Sequence, residues 1–297
     1  MTGSNGNDVT IVDACTRRRK GGSPTAVLID DSTLSDSSRR AIVRRAGTSH
    51  AAFVAADPKN TPTVRFFTAH GELTNCGHGT IAAQAFLLHR RRIRKHRVRQ
   101  RTGGRTFDAT AIQRDDGIEV WFDQGTVELQ CPAAGLDSIL AALGITSNDM
   151  AADDTPCVAS PGTPRLLVPV RTLPTLLAMR PDLGRLAAGC RRLGYLGCFV
   201  YLLSPTRRAA AARMFAPAIG VGEDVVNANS TGCLAAHLFA THGLSGIDVE
   251  QGHTAGRPSS VFATATATAD GISVRVGGMA TVRSGRAVHR VSPMGFG

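Results

Sequence analysis

The sequence predicts an α+β protein made of two similar domains, and two observations support this. Short apolar and β-branched runs, separated by turn residues, alternate with fewer helical runs, which is typical of antiparallel sheets. In addition, the strand segment at Arg65 and the helical segment at Gly79 are echoed at Arg213 and Gly232, half a chain later. In each half an Arg-x-Phe strand leads through an acidic loop to a helix start of small residues. This shared order indicates a duplication.

The first half is predicted to contain two helices between strands. One helix spans residues 33–46, since Ser and Asp caps precede it and Gly47 follows it. The other opens at Gly77. Residues 115–117, Asp-Asp-Gly, predict a hairpin turn, and residues 57–62 another turn. Strands are predicted over residues 9–14, 25–29, 51–55, 64–68, 97–101, 106–112 and 118–122.

The second half begins at a predicted boundary near Cys131, where a proline and a glycine interrupt the pattern. Helices are predicted over residues 136–143, 173–179 and 183–193, and strands over residues 165–170, 198–203 and 211–216. The small-residue helix at Gly232 follows.

Composition excludes several classes of protein. The chain has 297 residues and a mean hydropathy of −0.02, which is ordinary for a globular protein. No apolar run is long enough to span a membrane, and the polar N-terminus lacks the core of a signal peptide. Seven cysteines without CxxC spacing argue for reduced thiols, against a disulfide framework and against a zinc site. A cytoplasmic protein is therefore expected.

The net charge of +11 is concentrated in an arginine-rich run at residues 90–101. One interpretation is a patch that binds nucleic acid or another anionic surface. The other is a solvated helix end followed by an exposed edge strand. No aromatic platform accompanies the run, so we favour the second interpretation and do not expect nucleic acid as a partner.

The densest chemistry lies in residues 72–83, where Cys76, Gly77, His78 and Gly79 stand between a strand and a helix. A helix start presents free backbone N–H groups and the positive end of the helix dipole, which suit a substrate carboxylate. Glycines let the backbone approach a ligand closely. The sequence therefore predicts a binding site for a small carboxylate here.

Five motifs in order resemble the PhzF-like isomerases of the diaminopimelate epimerase and proline racemase superfamily, across nearly the whole chain. They are Val12-Asp-Ala-Cys with Gly22-Ser-Pro-Thr, Phe66-Phe-Thr with Cys76-Gly-His-Gly-Thr, Arg213-Met-Phe-Ala-Pro with Gly220-Val-Gly-Glu-Asp, Gln251-Gly-His-Thr-Ala-Gly-Arg-Pro-Ser, and Val274-Arg-Val-Gly-Gly.

The resemblance implies two domains, each an antiparallel barrel-like sheet around a central helix, with the active site in the cleft between them. In such proteins the last strand returns to the first domain. The expected domains are therefore residues 1–130 with 280–297, and residues 131–279. The resemblance also implies proton chemistry without a cofactor, and no metal is expected.

His50 is the main departure from the family pattern. Aligned on Phe53, it stands where family enzymes carry a general acid–base Glu. Histidine can do the same work, because its ordinary pKa of about 6.5 suits proton transfer near neutral pH. The alternative is a histidine that fills a polar strand end. Asp224 matches the family's second-domain acid and is expected to orient the His50 ring.

His78 matches the family histidine that contacts substrate or relays a proton. Superfamily racemases use two facing cysteines, but the opposite helix start carries Asn227, Asn229 and Ser230 without a thiol. We therefore interpret Cys76 as a residue that lines the site. The two asparagines and the serine are expected to bind a carboxylate or hydroxyl, or to act only as helix caps.

The sequence thus predicts a cofactor-free isomerase that shifts a proton and a double bond in a small unsaturated carboxylic or amino acid. The implied setting is specialised-metabolite or antibiotic biosynthesis, with a homodimer as the assembly. One alternative is a racemase, epimerase or dehydratase that uses Cys76. An alternative of another class is a catalytically silent anion-binding or scaffold protein.

Overall fold

A computed structural model describes residues 8–30, 33–55, 61–206 and 208–283. The chain divides into two compact units. Among the described residues, the first comprises residues 8–19, 23–122 and 278–283, and the second comprises residues 20–22 and 123–277. Most of the predicted turn at residues 57–62 and most of the predicted return over residues 280–297 lie outside the described residues.

Antiparallel and parallel strands form a closed ring in the first unit. Its strands are β1 (Thr10–Thr16), β2 (Ser23–Ile29), β3 (His50–Ala55), β4 (Thr63–Phe67), β5 (Glu72–Leu73), β6 (Lys95–Thr102), β7 (Arg105–Arg114), and parts of β8 (Gly117–Gln130) and β16 (Gly271–Val282). They pair in the order β8-β7-β6-β4-β3-β2-β1-β16, with β5 added to β4, and β8 pairs again with β16.

The first unit has a helix in its interior. Helix α1 (Asp36–Ala46) packs on β3 and β4, whereas α2 (Gly77–Arg91) contacts β1, β2, β3, β4 and β7. Every residue of α2 from Gly77 to Leu88 is buried. A helix that is apolar on all sides has to be enclosed. This unit therefore has the predicted architecture of a barrel-like sheet around a central helix.

The second unit repeats this design. Its further strands are β9 (Cys157–Ser160), β10 (Arg165–Pro169), β11 (Cys198–Leu203), β12 (Ala209–Ala216), β13 (Val221–Asp224), β14 (Gly246–Gln251) and β15 (Ser259–Thr268). They pair with parts of β8 and β16 in the ring β8-β9-β10-β11-β12-β14-β15-β16, and β13 pairs with β12. The enclosed helix is α6 (Ala228–His242), which contacts β9, β14 and β15.

Three further helices cover one side of the second unit. They are α3 (Leu136–Leu143), α4 (Leu173–Ala178) and α5 (Leu183–Leu193). Their apolar faces form one cluster with β10 and β11, in which Leu140, Leu176 and Leu186 are fully buried. The second unit thus has an outer apolar core besides the one around α6.

The same ion pair braces both units. In the first unit Arg65 donates from Nε and Nη2 to Glu72 at 2.8 and 2.6 Å. In the second unit Arg213 donates from the same atoms to Glu223 at 2.9 and 2.8 Å. Both glutamates precede an enclosed helix. This repeated contact supports the duplication inferred from the sequence.

Some sequence predictions differ from the structure. Helix α1 begins at Asp36 instead of residue 33, because Ser35 is its cap and accepts a hydrogen bond from Ser38 N at 3.2 Å. Strand β6 is not an exposed edge: it pairs with β7 along its length and with β4 through Thr63 and Arg101. The domain boundary expected at residues 130/131 follows the end of β8, whereas the division into units falls within that strand.

No disulfide joins any of the seven cysteines, all of which lie among the described residues. Within the described part of the chain, no helix combines the length and the apolar character that crossing a membrane requires.

Candidate active site

Cys76 holds the beginning of α2. It is the N-cap, with an extended φ of −154°, and its Sγ accepts a hydrogen bond from the backbone N–H of Gly79 at 3.4 Å. A thiol thus replaces the hydroxyl or carboxylate that usually caps a helix. Thr80 closes the same turn, because its Oγ1 donates to the Cys76 carbonyl at 2.9 Å. The thiol therefore lies at the positive end of the α2 dipole, a position that favours thiolate.

His50 and His78 meet beside this helix start. His50 opens β3, His78 lies in the first turn of α2, and each is only 4% exposed. Their rings make an edge-to-face contact with centroids 4.5 Å apart. His50 Nδ1 lies 2.9 Å from Ser49 Oγ, and His78 Nε2 lies 3.5 Å from Cys76 Sγ. Two imidazoles and a thiol therefore share one small buried space, where they can exchange protons or hold a metal ion.

Gly79 is required by packing within the first unit. A Cβ at this position would lie 2.8 Å from two ring atoms of Phe66 and 2.9 Å from Cys76 Sγ. Strand β4 places the Phe66 ring directly against the helix start. The sequence analysis explained the glycines by the close approach of a ligand. At Gly79, the close approach of Phe66 and Cys76 already requires a glycine. Gly77 is buried at the first position of α2.

The predicted residues of the second unit gather at the start of α6. Asn227 is the N-cap, and its Oδ1 accepts from Ser230 N at 2.9 Å. Its Nδ2 donates to Asp224 Oδ2 at 3.1 Å, which ties the end of β13 to the helix. The Asn229 carbonyl accepts from Gln124 Nε2 at 3.0 Å. The capping role considered for Asn227 is therefore confirmed, while ligand binding by these residues stays a prediction.

Arg165 also reaches this helix start, and the sequence analysis did not select it. It opens β10, is 1% exposed, and donates from Nη1 to Ser230 Oγ at 3.2 Å and from Nη2 to the Thr163 carbonyl at 2.9 Å. Its Nε is buried and has no hydrogen-bond partner among the described residues. A single arginine at the head of the apolar run Arg165-Leu-Leu-Val-Pro was the available signal, since a buried guanidinium needs polar partners.

The hydrogen bonds correct the register of the internal repeat. The sequence matched Gly79 with Gly232, but the capping contacts match Cys76 with Asn227. Thr231 Oγ1 donates to the Asn227 carbonyl at 3.2 Å, just as Thr80 does to the Cys76 carbonyl. The earlier register followed small apolar residues that recur inside both helices. In the structural register the position of Cys76 is occupied by an amide, so the second unit has no matching thiol.

Cys233 lies deeper in α6 and is fully buried. Burial raises the pKa of this thiol, against a smaller opposing effect of the Arg165 charge. Cys233 is therefore packed in the interior of the second unit.

The arginine-rich run begins at the end of α2. Arg92 adopts the left-handed conformation with φ 54° and ends the helix, and His89, Arg90 and Arg91 occupy its last turn. Along β6, exposed residues alternate with buried ones. The run is thus a solvated helix end followed by a strand with one buried face, and the buried face carries His96, Val98 and Gln100.

A family model for phenazine biosynthesis-like proteins, PhzC-PhzF, matches residues 12–285 of the chain. The chain belongs to this family. The PhzC-PhzF relatives include the uncharacterized isomerase YddE of Escherichia coli O157:H7, which is 28% identical over 263 residues, or 86% of this chain and 89% of that protein. The trans-2,3-dihydro-3-hydroxyanthranilate isomerase of Pseudomonas chlororaphis is 30% identical over 268 residues, or 88% of this chain and 91% of that protein.

A solved structure of the same family has the same fold. The PhzF-family phenazine biosynthesis protein of Bacillus anthracis superposes with a TM-score of 0.82 at 19% identity, covering 93% of this chain and 96% of that one. The family and the fold class predicted from the sequence are thus confirmed. The names of both relatives support the prediction of an isomerase.

Proposed function

We propose that this PhzC-PhzF protein is a cofactor-free isomerase that moves a proton, and with it a double bond, within a small unsaturated carboxylic or amino acid. The observation that supports this is the contact of the His50 and His78 rings at the start of α2, with centroids 4.5 Å apart. Two adjacent buried imidazoles suit general acid–base catalysis, which requires groups that gain and lose protons near neutral pH.

His50 is the proposed general base and acid. It stands where the family resemblance places a glutamate, and its hydrogen bond with Ser49 orients the ring. His78 is the proposed second proton carrier or substrate contact. Asp224 is the proposed supporting acid, on the strength of its place in the family's second motif and of its hydrogen bond with Asn227.

The first backbone N–H groups of α2, at Gly77 and His78, are proposed to bind the substrate carboxylate. A helix start offers donors and a favourable dipole to an anion. Cys76, which caps this helix, lines the proposed site, as does Gly79. Asn229 and Ser230 at the start of α6 are proposed as further substrate contacts.

A second mechanism is favoured by one specific observation, the 3.5 Å distance between Cys76 Sγ and His78 Nε2. A thiol beside an imidazole at a helix start is a usual arrangement for an activated cysteine. Cys76 would then remove the proton, as in a racemase, an epimerase or a dehydratase. The amide of Asn227 argues against this mechanism, because it occupies the position that matches Cys76 and the second thiol of a racemase is absent there.

The test is solvent deuterium incorporation. The protein is incubated in heavy water with trans-2,3-dihydro-3-hydroxyanthranilate, the compound in the name of the Pseudomonas chlororaphis relative, and in parallel with a mixed extract of small carboxylic acids. Mass spectrometry is expected to show deuterium entering at least one compound. His50→Ala should slow this by roughly 10²–10⁴-fold, the usual contribution of a general base.

His50→Glu restores the residue of the family pattern and is expected to keep much of the rate, and circular dichroism reports whether each variant folds. Loss of exchange in Cys76→Ser together with full exchange in His50→Ala would favour the cysteine mechanism. No exchange above the heat-denatured control with either probe would contradict the proposed isomerase. Biosynthesis of specialised metabolites, the homodimer and the cytoplasmic location stay predictions from the sequence.

A further inference from the structure

We infer that His50, Cys76 and His78 form a binding site for Zn²⁺, and that zinc bound there blocks proton transfer by His50. The sequence analysis argued against a zinc site, because the cysteines lack CxxC spacing. The fold brings a distant histidine to the Cys76-Gly-His78 segment. The inferred metal site depends on this geometry alone, whereas the block of proton transfer rests on the proposed function.

The three side chains have the separations of zinc ligands. Each offers one ligand atom, and these atoms all lie within 4.8 Å of one another. The distance from Cys76 Sγ to His78 Nε2 is 3.5 Å. Zinc bonds of about 2.3 Å to sulfur and about 2.0–2.1 Å to nitrogen, at a tetrahedral angle, also put the two ligand atoms roughly 3.5 Å apart. These two ligands therefore need little movement, whereas the ligand atom of His50 has to approach them from a distance within 4.8 Å.

The donor types are those that zinc prefers. One thiolate and two neutral imidazoles suit Zn²⁺ and Co²⁺, whereas Mg²⁺ and Ca²⁺ prefer oxygen ligands. Three protein ligands leave the fourth tetrahedral position open, as in catalytic zinc sites. The glutamate that the family resemblance places at His50 would give a harder set with an oxygen ligand. The histidine thus makes this particular chain better suited to zinc.

The surroundings orient the ligands. His50, Cys76 and His78 are between 4% and 6% exposed, so their side chains have little freedom. The contact of His50 Nδ1 with Ser49 Oγ at 2.9 Å fixes the ring and favours Nε2 as the ligand atom. Such outer contacts of a ligating histidine are the rule in zinc sites. The Gly79 N–H directed at Cys76 Sγ helps to stabilise the thiolate.

One feature opposes a cation here, the positive end of the α2 dipole. A helix dipole acts weakly compared with direct coordination by a thiolate and two imidazoles. In addition, the thiolate places a full negative charge between the helix end and the ion. Coordination is therefore expected to dominate.

Metal binding has a direct consequence for proton transfer. An imidazole nitrogen that ligates zinc cannot accept a proton, because both use the same lone pair. Zinc and substrate deprotonation thus compete for His50. The proposed isomerase, if active, is expected to be inhibited by zinc and to recover on chelation.

The test uses Co²⁺ and Zn²⁺ alone, without substrate. Chelator-treated, desalted protein is titrated with Co²⁺. The expected result is one ion per chain, intense visible absorption of a four-coordinate ion and a near-ultraviolet thiolate-to-cobalt band, all removed by Zn²⁺. Cys76→Ser should remove the thiolate band, and His50→Ala should weaken binding at least roughly tenfold.

Cys131→Ser is the matched control, because Cys131 is the exposed cysteine and a candidate for adventitious binding. It should leave the titration unchanged. His50→Glu is a variant expected to fold, since it carries the residue of the family pattern, and it should also bind more weakly than the parent. A weak six-coordinate spectrum, or a thiolate band lost in Cys131→Ser and kept in Cys76→Ser, would overturn the inference. Neither outcome depends on isomerase turnover.

Discussion

His50 contacts His78 edge to face, with 4.5 Å between the ring centroids and both side chains buried. The two residues belong to different elements, the first residue of β3 and the first turn of α2. Because the contact is buried, a substitution at either position changes packing as well as chemistry. The free energy of unfolding of each variant therefore has to be measured beside its activity.

The two bracing ion pairs offer a matched comparison. Arg213 and Glu223 have side chains 7% and 28% exposed, against 34% and 41% for Arg65 and Glu72. We expect Glu223→Gln to lower the free energy of unfolding by about 3 kcal/mol, because it leaves a buried guanidinium without its charge partner. Glu72→Gln should cost less than about 1 kcal/mol, as exposed pairs do. Urea unfolding measures both, and equal losses would contradict the argument from burial.

His96 is expected to make the protein sensitive to acid. It is buried on β6 and its Nε2 lies 2.9 Å from Gln84 Oε1. Burial, aided by the charge of Arg91, lowers the pKa of His96 to about 4 from 6.5. Between these pH values the unfolded chain binds a proton that the folded protein does not. The free energy of unfolding therefore decreases as the pH is lowered, by up to roughly 3 kcal/mol.

The measurement is urea unfolding at several pH values within that window. His96→Gln keeps a donor for Gln84 and removes the titrating group. Its stability should therefore fall less steeply with decreasing pH than that of the parent protein. Identical pH dependence in the two proteins would show that His96 is not responsible.

A second buried histidine is expected to act in the opposite direction. His237 Nε2 lies 2.8 Å from Asp154 Oδ1, and Tyr201 OH donates to Asp154 Oδ2 at 2.6 Å. Burial alone would lower the pKa of His237, but the hydrogen bonds and charge interactions with Asp154 and Cys157 together outweigh burial and raise that pKa to about 9. Burial acts on Asp154 by raising its pKa, but the hydrogen bonds with His237 and Tyr201 bring that pKa below the ordinary value.

Because the folded pKa of His237 is raised, its contribution to stability is complete below pH 6.5 and is lost as the pH rises through about 9. Near neutral pH, Asp154→Asn should therefore lower the free energy of unfolding by roughly 3–5 kcal/mol, as for a broken buried pair. Above about pH 9 the same substitution should cost less. A cost that is independent of pH in urea unfolding would exclude a charged pair.

A side chain at Gly232 is expected to destabilise the protein. A Cβ there would lie 1.9 Å from Gln124 Oε1, so Gly232→Ala has to displace Gln124 and its hydrogen bond with the Asn229 carbonyl. We expect a loss of roughly 1–3 kcal/mol, as for other overpacked interiors. Gly184→Ala in α5 is the control, because its nearest atom is Asp182 Oδ1 at an ordinary 3.5 Å. Thermal unfolding should show this control unchanged or stabilised by up to about 1 kcal/mol.

Local signals were sufficient for several elements. Helices α3 and α5 and strand β11 have the predicted bounds. Gly144 and Gly194, both in the left-handed conformation, end the two helices, and Asp182 caps α5. Short strands such as β9 and β13 were missed, since four residues hold too little pattern to separate a strand from a loop.

The candidate site could be predicted only in part. Cys76 and His78 stood out because they are neighbours at a recognisable strand-to-helix junction. His50 was found through the family pattern alone, since its contact with His78 arises from the packing of α2 on β3. Arg165 was missed because a strand sequence does not show where a buried side chain points. The alignment of the two halves from sequence was shifted relative to the structural one, because small residues recur within both enclosed helices.

The N-caps of α2 and α6 have a consequence for how such proteins diversify. Cys76 and Asn227 hold matching positions, and each accepts the N–H three residues ahead. A thiol and an amide are thus interchangeable as far as helix capping is concerned. A mutation at this position can therefore introduce or remove a reactive group while the helix start is preserved. New chemistry in this fold is accordingly open to single substitutions that keep the capping contact.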